Sequence, residues 1–375
     1  MSRHGPILDR LARIDHAPSD LVTLTLDVSR TGILPEETRL FLKDRVLKSV
    51  EPALAERIRE QVGSLSPGSH GFYLVAGPGV WEPLELQVPL PNFLHLGRTP
   101  YLPPLVAAIA GAPRALVARF DERTAHLHGV ELGVWSDLDR WNAFLIDRDT
   151  ERLTAGRPIA TGVRTGIGGG KRDRFEQTLE AETERMIEEL ARRIAALDPP
   201  SAIFVFSDRE RFGLFRNHLP VALRSLAEGL GPAPRDEAAL RQAVEARMAG
   251  RRADRERAEV REFEERRARN HLVALGPDAV AAHRLTGHLA RVFLDPQDPV
   301  PGSWCPACEA LRKDPPGACP TCPGSTAAVS LSQEIVAHAI LHPPLALTFV
   351  SDRWLRDHGG MAGLLSLKAV RGRRV

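Results

Sequence analysis

The four cysteines fall in two pairs of identical spacing, Cys305-Pro306-Ala307-Cys308 and Cys319-Pro320-Thr321-Cys322. A gap of two residues lets both thiolates of a pair turn toward one metal ion. Two such pairs complete a tetrahedral shell with no open position. The ten residues between the pairs are fewer than in the commonest fingers and suit two short knuckles joined by a hairpin. Pro306 and Pro320 stiffen the knuckles, and Gly317 loosens the approach to the second. The competing chemistry is thiol–disulfide exchange, which uses one such pair placed after a strand at the start of a helix. Here both pairs lie in a stretch rich in proline and glycine. The pattern predicts one structural Zn2+ held by Cys305, Cys308, Cys319 and Cys322, stabilising a segment too small for a core of its own.

A second cluster joins backbone freedom to positive charge. Gly166, Gly168, Gly169 and Gly170 precede Lys171, Arg172 and Arg174 within TGVRTGIGGGKRDRF, residues 161–175. Consecutive glycines adopt conformations closed to other residues and let the main chain approach a partner closely. The flanking cations favour a phosphate-rich partner. Three readings compete: a nucleotide-phosphate loop, a passive linker, and a loop that enters a narrow RNA site. The first lacks the Ser or Thr that follows the lysine of a P-loop, and its spacing.

Other chemistry finds less support. A metal-dependent nuclease needs convergent carboxylates, and nothing in the spacing of Asp121, Glu131 and Asp173 supplies them. No GxSxG or HExxH occurs. His126 and His128 alternate on one segment and read as surface residues. The five tryptophans are too dispersed for a base-stacking platform.

These groups need elements to hold them. LVTLTLDV (21–28) alternates like a strand, and Glu36 to Val62 carries apolar residues at helical spacing. GFYLVAG (71–77) and LELQVPL (84–90) read as strands, and Pro100 to Pro104 as a linker into a short helix. ALVARFDERTAHLHGVEL (115–132) reads as a hairpin with its turn at Asp121 to Arg123. After the glycine cluster, Leu179, Met186, Ile187, Leu190, Ile194 and Leu197 mark one face of a long helix that Pro199 and Pro200 stop. AIFVF (202–206) is a continuous apolar run typical of a buried parallel strand, with a helix expected over 209–229. The stretch 251–270, with eight arginines and six acids, reads as a solvated helix laced with i,i+4 pairs. Asp278 is the expected N-cap of a helix running to Thr286, followed by a strand at 289–294, the cysteine segment, a helix at 331–341 and a strand at 345–350. The tail from Lys368 to Val375 is expected to fray.

This alternation predicts an α/β fold. The 375 residues divide into an N-terminal α/β domain at 1–112, a central domain at 113–234 that carries the glycine-rich loop, and a C-terminal α/β domain at 235–375 with a zinc-ribbon insert at 302–325. Net charge is only +2, and the excess of arginine (45) over lysine (5) follows from genome base composition as readily as from RNA binding. There is no run of eighteen apolar residues and no apolar signal core, so no membrane partner and a cytoplasmic location are expected.

Gly168-Gly169-Gly170-Lys171-Arg172-Asp173-Arg174-Phe175 followed by a long helix resembles the Gly-Gly-Gln loop of the class-one peptide chain release factors of eukaryotes and archaea. In those proteins, too, Arg-Phe and a helix follow the glycine pair. The hairpin at 115–132 resembles the opening of that family's central domain, AIFVFSDRERFGLFRNHLP its next strand and helix, and GPDAVAAHRLTGHLARVFL, the four-cysteine insert and Gly359 to Leu365 its C-terminal domain. The order along residues 20–367 is closest in pattern to its bacterial and archaeal relatives. The resemblance implies a ribonuclease-H-like central domain and a C-terminal α/β sandwich with the zinc ribbon inserted. It implies the ribosome, rRNA and tRNA as partners, with the C-terminal domain docking on the ribosome or on another translation factor. Gly168, Gly169 and Gly170 would then be the catalytic tip for peptidyl-tRNA hydrolysis, and Arg164, Lys171, Arg172 and Arg174 would contact RNA phosphates. Gly170 stands where the family has its glutamine. It keeps a backbone N–H for a developing oxyanion but has no side-chain amide. A non-catalytic factor that occupies idle or stalled ribosomes is the alternative.

Overall fold

A computed structural model describes residues 5–14, 21–28, 34–142, 172–269, 271–351 and 353–366, the side chains of 142 and 172–179 excepted. The chain is mixed α/β and divides into two compact units, Ala112–Ala249 and the combination of Met1–Gly111 with Gly250–Val375.

The unit Ala112–Ala249 is built on five strands: Ala115–Phe120, Thr124–Glu131, Val134–Asn142, Ala202–Phe206 and Ala227–Gly231. In this sequence order their spatial order is 3-2-1-4-5. The first three form an antiparallel meander, and the last two run parallel to the first. This is the ribonuclease-H-like arrangement. The apolar run Ala202–Phe206 is buried throughout, as a central parallel strand requires.

Strand alternation gives the sheet two different faces. Leu116, Ala118, Phe120, Ala125 and Leu127 pack on Met186, Ile187, Leu190 and Ile194 of the helix Arg172–Ala196, and on Phe215 of the helix Arg209–His218. On the other face, Ala115, Val117, Phe204 and Phe206 pack on Leu240 and Val244, early in the helix Glu237–Ala268. Asp208 caps Arg209–His218 by accepting the Arg211 amide at 2.9 Å. The helix expected over 209–229 is shorter than its sequence pattern. It ends at His218 ahead of Pro220, and the chain returns as the edge strand Ala227–Gly231.

The other unit contains three sheets. The first is antiparallel, with Leu21–Asp27 and Gly71–Gly77 at its centre, and buries Leu24, Leu26, Phe72 and Leu74 against Val46 and Ile58. The helical stretch expected from Glu36 to Val62 is interrupted. A helix at Glu36–Phe41 passes into a π turn at Leu42–Val46, and a new helix starts at Pro52, whose ring occupies the first turn where no N–H is needed. The second sheet joins Val273–Leu275, Met361–Leu365, Leu289–Leu294 and Ala346–Phe349 around Phe263, Phe293 and Leu355. The third is a three-stranded ribbon with Pro301–Trp304 between Leu311–Arg312 and Ala327–Ser330. Among the described residues no helix is long and apolar enough to cross a membrane.

Candidate functional site

The three-stranded ribbon brings all four cysteines together. Cys305 leaves the end of the central strand, and its carbonyl accepts the Glu309 amide at 2.8 Å while its own amide donates to Ala310 at 3.0 Å. That closes the first knuckle and sets Glu309 at φ 56°. In the second knuckle the Cys319 amide donates to Gly324 at 2.8 Å, and the Thr321 amide donates to Cys319 Sγ at 3.4 Å. The Thr321 amide draws the Cys319 thiol down to about 6.

The four Sγ atoms lie within 4.8 Å of one another, with Cys305–Cys322 at 3.5 Å and Cys308–Cys319 at 3.6 Å. Four thiolates about 2.3 Å from a tetrahedral Zn2+ would stand about 3.8 Å apart. The donor set therefore fits a closed, four-sulfur centre. Gly324 lies directly against it. A Cβ there would sit 3.3 Å from Cys305 Sγ, 3.4 Å from Cys322 Sγ and 3.2 Å from the Ala307 side chain. The ribbon is tied to the neighbouring helix Gly276–His283 through Asp278, which accepts the Lys313 amide at 2.9 Å. Asp278 is thus not the N-cap expected of it. Leu275 holds that position, and Pro277 opens the helix.

In the unit Ala112–Ala249, two clefts flank the cross-strand pair Arg119 and His126. One, of about 480 Å³, lies beyond the carboxyl ends of the parallel strands and includes Asp121, Ser207, Asp208 and Arg211. Its charged groups are engaged with one another. Arg211 pairs with Asp208 and reaches Glu122 at 2.7 Å. Asp121 accepts the amides of Arg123 at 2.7 Å and Thr124 at 2.8 Å. Burial works against ionising Asp121, yet those amides outweigh it and hold the carboxyl below its ordinary range. Asp121 is therefore a turn-closing residue of the hairpin.

The other cleft, of about 590 Å³, opens on the sheet face beside the start of Glu237–Ala268. Register sets its lining. Arg119 faces His126, His126 faces Arg140, His128 faces Asp137, and Val130 faces Trp135, so all these side chains share one face. Leu138 is the extra residue of a bulge that keeps Asp137 opposite His128. His128 Nδ1 lies 2.6 Å from Asp137 Oδ1. His128 is only 7% exposed, so it is a buried residue and not the surface histidine its alternation with His126 suggested. The partner that makes burial possible is nine residues on, in a strand whose register the local pattern does not reveal.

The glycine-rich loop is a different matter. Arg164, Gly168, Gly169, Gly170 and Lys171 lie outside the described residues, as do the side chains of Arg172 and Arg174. What is described is the backbone that follows, a helix starting at Arg172 and running to Ala196. The tail from Lys368 also lies outside the described residues.

A ribonuclease-H-like sheet flanked by helices, together with a mixed unit carrying a four-cysteine ribbon, defines a multi-unit α/β protein. Residues 114–269 match the model of bacterial archaeo-eukaryotic release factor family 2, and the chain is a relative of the release factors through that segment. No curated protein matches it. Similar solved structures include an archaeal translation termination factor, aRF1, at 13% identity, with 97% of this chain and 98% of that one covered and a TM-score of 0.27. Dom34 of S. cerevisiae, described as a translation termination-like factor that interacts with Hbs1, is 10% identical over 96% of this chain and 92% of its own, with a TM-score of 0.41. Archaeal Pelota, in a ribosome-bound assembly with ABCE1, is 11% identical over 97% and 94%, with a TM-score of 0.39.

Proposed function

We propose that this is a ribosome-associated, release-factor-like protein whose glycine-rich tip, Gly168 to Gly170, enters the peptidyl-transferase centre. The observation that supports this reading is the family match at 114–269, which spans the loop, the strands before it and the long helix after it. Arg164, Lys171, Arg172 and Arg174 would hold the loop on rRNA and tRNA phosphates, and another translation factor would dock on the C-terminal domain. The functional division is the three-domain one, 1–112, 113–234 and 235–375, in a cytoplasmic protein. The cysteine centre holds one structural Zn2+, as its four-sulfur geometry favours.

The reaction is hydrolysis of the peptidyl-tRNA ester. Water adds to the ester carbonyl, the bond to the tRNA ribose oxygen breaks, and that oxygen takes the proton. The Gly170 N–H would donate to the oxyanion that forms on the carbonyl oxygen. One observation favours a second reading. Gly170 has no side-chain amide to orient water, so a factor that occupies idle or stalled ribosomes without cutting is the alternative.

Ribosomes loaded with a labelled nascent chain, assayed without puromycin, separate the two. Release that is lost in Gly169→Val supports hydrolysis. Tight binding without release supports occupancy. Failure to co-sediment with ribosomes, empty or loaded, would defeat both.

A further inference from the structure

Two arginines reach the cysteine knuckles from outside them. Arg284 is the C-cap of the helix Gly276–His283, and its Nη2 donates to the Glu309 carbonyl at 2.8 Å. Glu309 directly follows Cys308 in the chain, and its own amide closes the first knuckle on the Cys305 carbonyl. Arg312 lies on the short strand Leu311–Arg312, between the two cysteine pairs, and its Nη2 donates to Thr321 Oγ1 at 3.3 Å. Thr321 sits inside the second pair. Its amide donates to Cys319 Sγ at 3.4 Å, and its hydroxyl also favours the Cys319 thiolate. Each knuckle is thus held by one guanidinium, through a residue next to a ligand or between two.

These arginines are held at a cost. Both Nε atoms are buried and have no hydrogen-bond partner among the described residues. Burial works against the charge on Arg284, and Glu334 and Glu309 favour it. A guanidinium taken out of water is retained where negative charge repays its desolvation. Four thiolates around Zn2+ leave two negative charges on the ribbon, and two guanidinium groups balance them. Groups that hydrogen-bond beside the ligands also fix how those ligands point.

We propose that Arg284 and Arg312 are positioning residues of the metal centre, each bracing one knuckle by its hydrogen bond and setting one positive charge against the thiolates. The proposal rests on the centre holding zinc, which metal analysis of the unmodified chain reports separately. A brace that acts by shape alone would loosen the knuckle when cut but leave the electrostatic potential at sulfur as it was.

The test uses the full chain carrying zinc, alkylated in parallel with iodoacetate, an anion, and iodoacetamide, which is neutral. The chain has four cysteines, so the modification of cysteine by either reagent reads the centre. A cation beside the thiolates raises the iodoacetate rate relative to the iodoacetamide rate. Arg284→Gln and Arg312→Gln should each lower that ratio about twofold or more, the effect of one unit charge at close range through solvent. Each should also weaken zinc binding about tenfold in chelator competition. Arg284→Lys and Arg312→Lys keep the charge and should restore the ratio. Lys313→Gln removes an exposed cation of the same ribbon and should lower the ratio less than either arginine variant. Should a Gln variant lose its zinc outright, retention by the matching Lys variant supports the proposal, and loss from both overturns it. Equal acceleration by the two reagents, with the ratio unchanged and zinc still bound, would overturn the countercharge and leave the zinc reading standing. An unmodified chain without zinc would overturn that reading and the proposal with it.

Discussion

At the scale of single residues, the cysteine centre depends as much on Gly324 as on its ligands. Gly324 carries no side chain where a Cβ would press on two of the four sulfurs at 3.3 and 3.4 Å. Its carbonyl also receives the Cys319 amide that shapes the second knuckle. A branched side chain there must move a ligand or the backbone that presents it. Gly324→Val is therefore expected to lower zinc affinity by about 10–100-fold, the usual cost of disturbing groups that orient ligands. Competition with a chromophoric chelator measures it, and unchanged affinity would show that the knuckles yield without strain. Cys305→Ser belongs to the same scale. It should lower metal content below one equivalent and leave the unit Ala112–Ala249 folded, since that unit has its own core.

At the scale of elements, the helix Arg172–Ala196 fixes where the chain emerges from the glycine-rich loop. Its hold on the sheet comes from Met186, Ile187, Leu190 and Ile194, all buried. Leu190→Ala removes a fully buried side chain and should destabilise the central unit by about 2–5 kcal/mol. Glu188→Ala, on the exposed side of the same helix, should change it by less than about 0.5 kcal/mol. Urea unfolding of the two variants reads the contrast. Much of this layer was legible in the sequence because each signal is local. The alternation at 115–132, the apolar run at 202–206 and the 3.6-residue spacing after the loop all appear as elements. What was hidden depended on partners distant in sequence or on a local break in the pattern. Pro52 divides one periodic stretch into two helices. The strand Ala227–Gly231, with three of its five residues Gly or Ala, shows little strand propensity and forms by pairing with Ile203 to Phe206. The burial of His128 needs the bulge at Leu138. The cysteine centre was legible for the opposite reason, since its ligands are paired at short range and only one geometry closes the shell.

At the scale of the whole molecule, the N-terminal and C-terminal segments make one compact unit although the 138 residues Ala112–Ala249 separate them. The joint is polar and buried, which makes it testable. Across the two segments the Leu102 amide donates to Gln333 Oε1 at 2.7 Å, while on the N-terminal side the Tyr101 amide donates to Thr23 Oγ1 at 2.9 Å and the Tyr73 hydroxyl donates to the Tyr101 carbonyl at 3.3 Å. Gln333 is 2% exposed in the first turn of the helix Leu331–Leu341. Its side chain is thus the acceptor that lets the Leu102 backbone be buried. Gln333→Leu keeps the volume roughly constant and strands that amide without a partner. The cost should be about 1–3 kcal/mol, the penalty for one unsatisfied buried donor. It should fall on the unit formed by Met1–Gly111 and Gly250–Val375, leaving Ala112–Ala249 unchanged. Amide hydrogen exchange followed segment by segment distinguishes this from general loosening. Faster exchange should appear at 101–105 and along Leu331–Leu341, while the strands Ala115–Phe120 and Ala202–Phe206 keep their protection. If exchange rises equally in both units, the bond does not hold the chain's two ends together as a local joint, and their association rests on apolar packing alone.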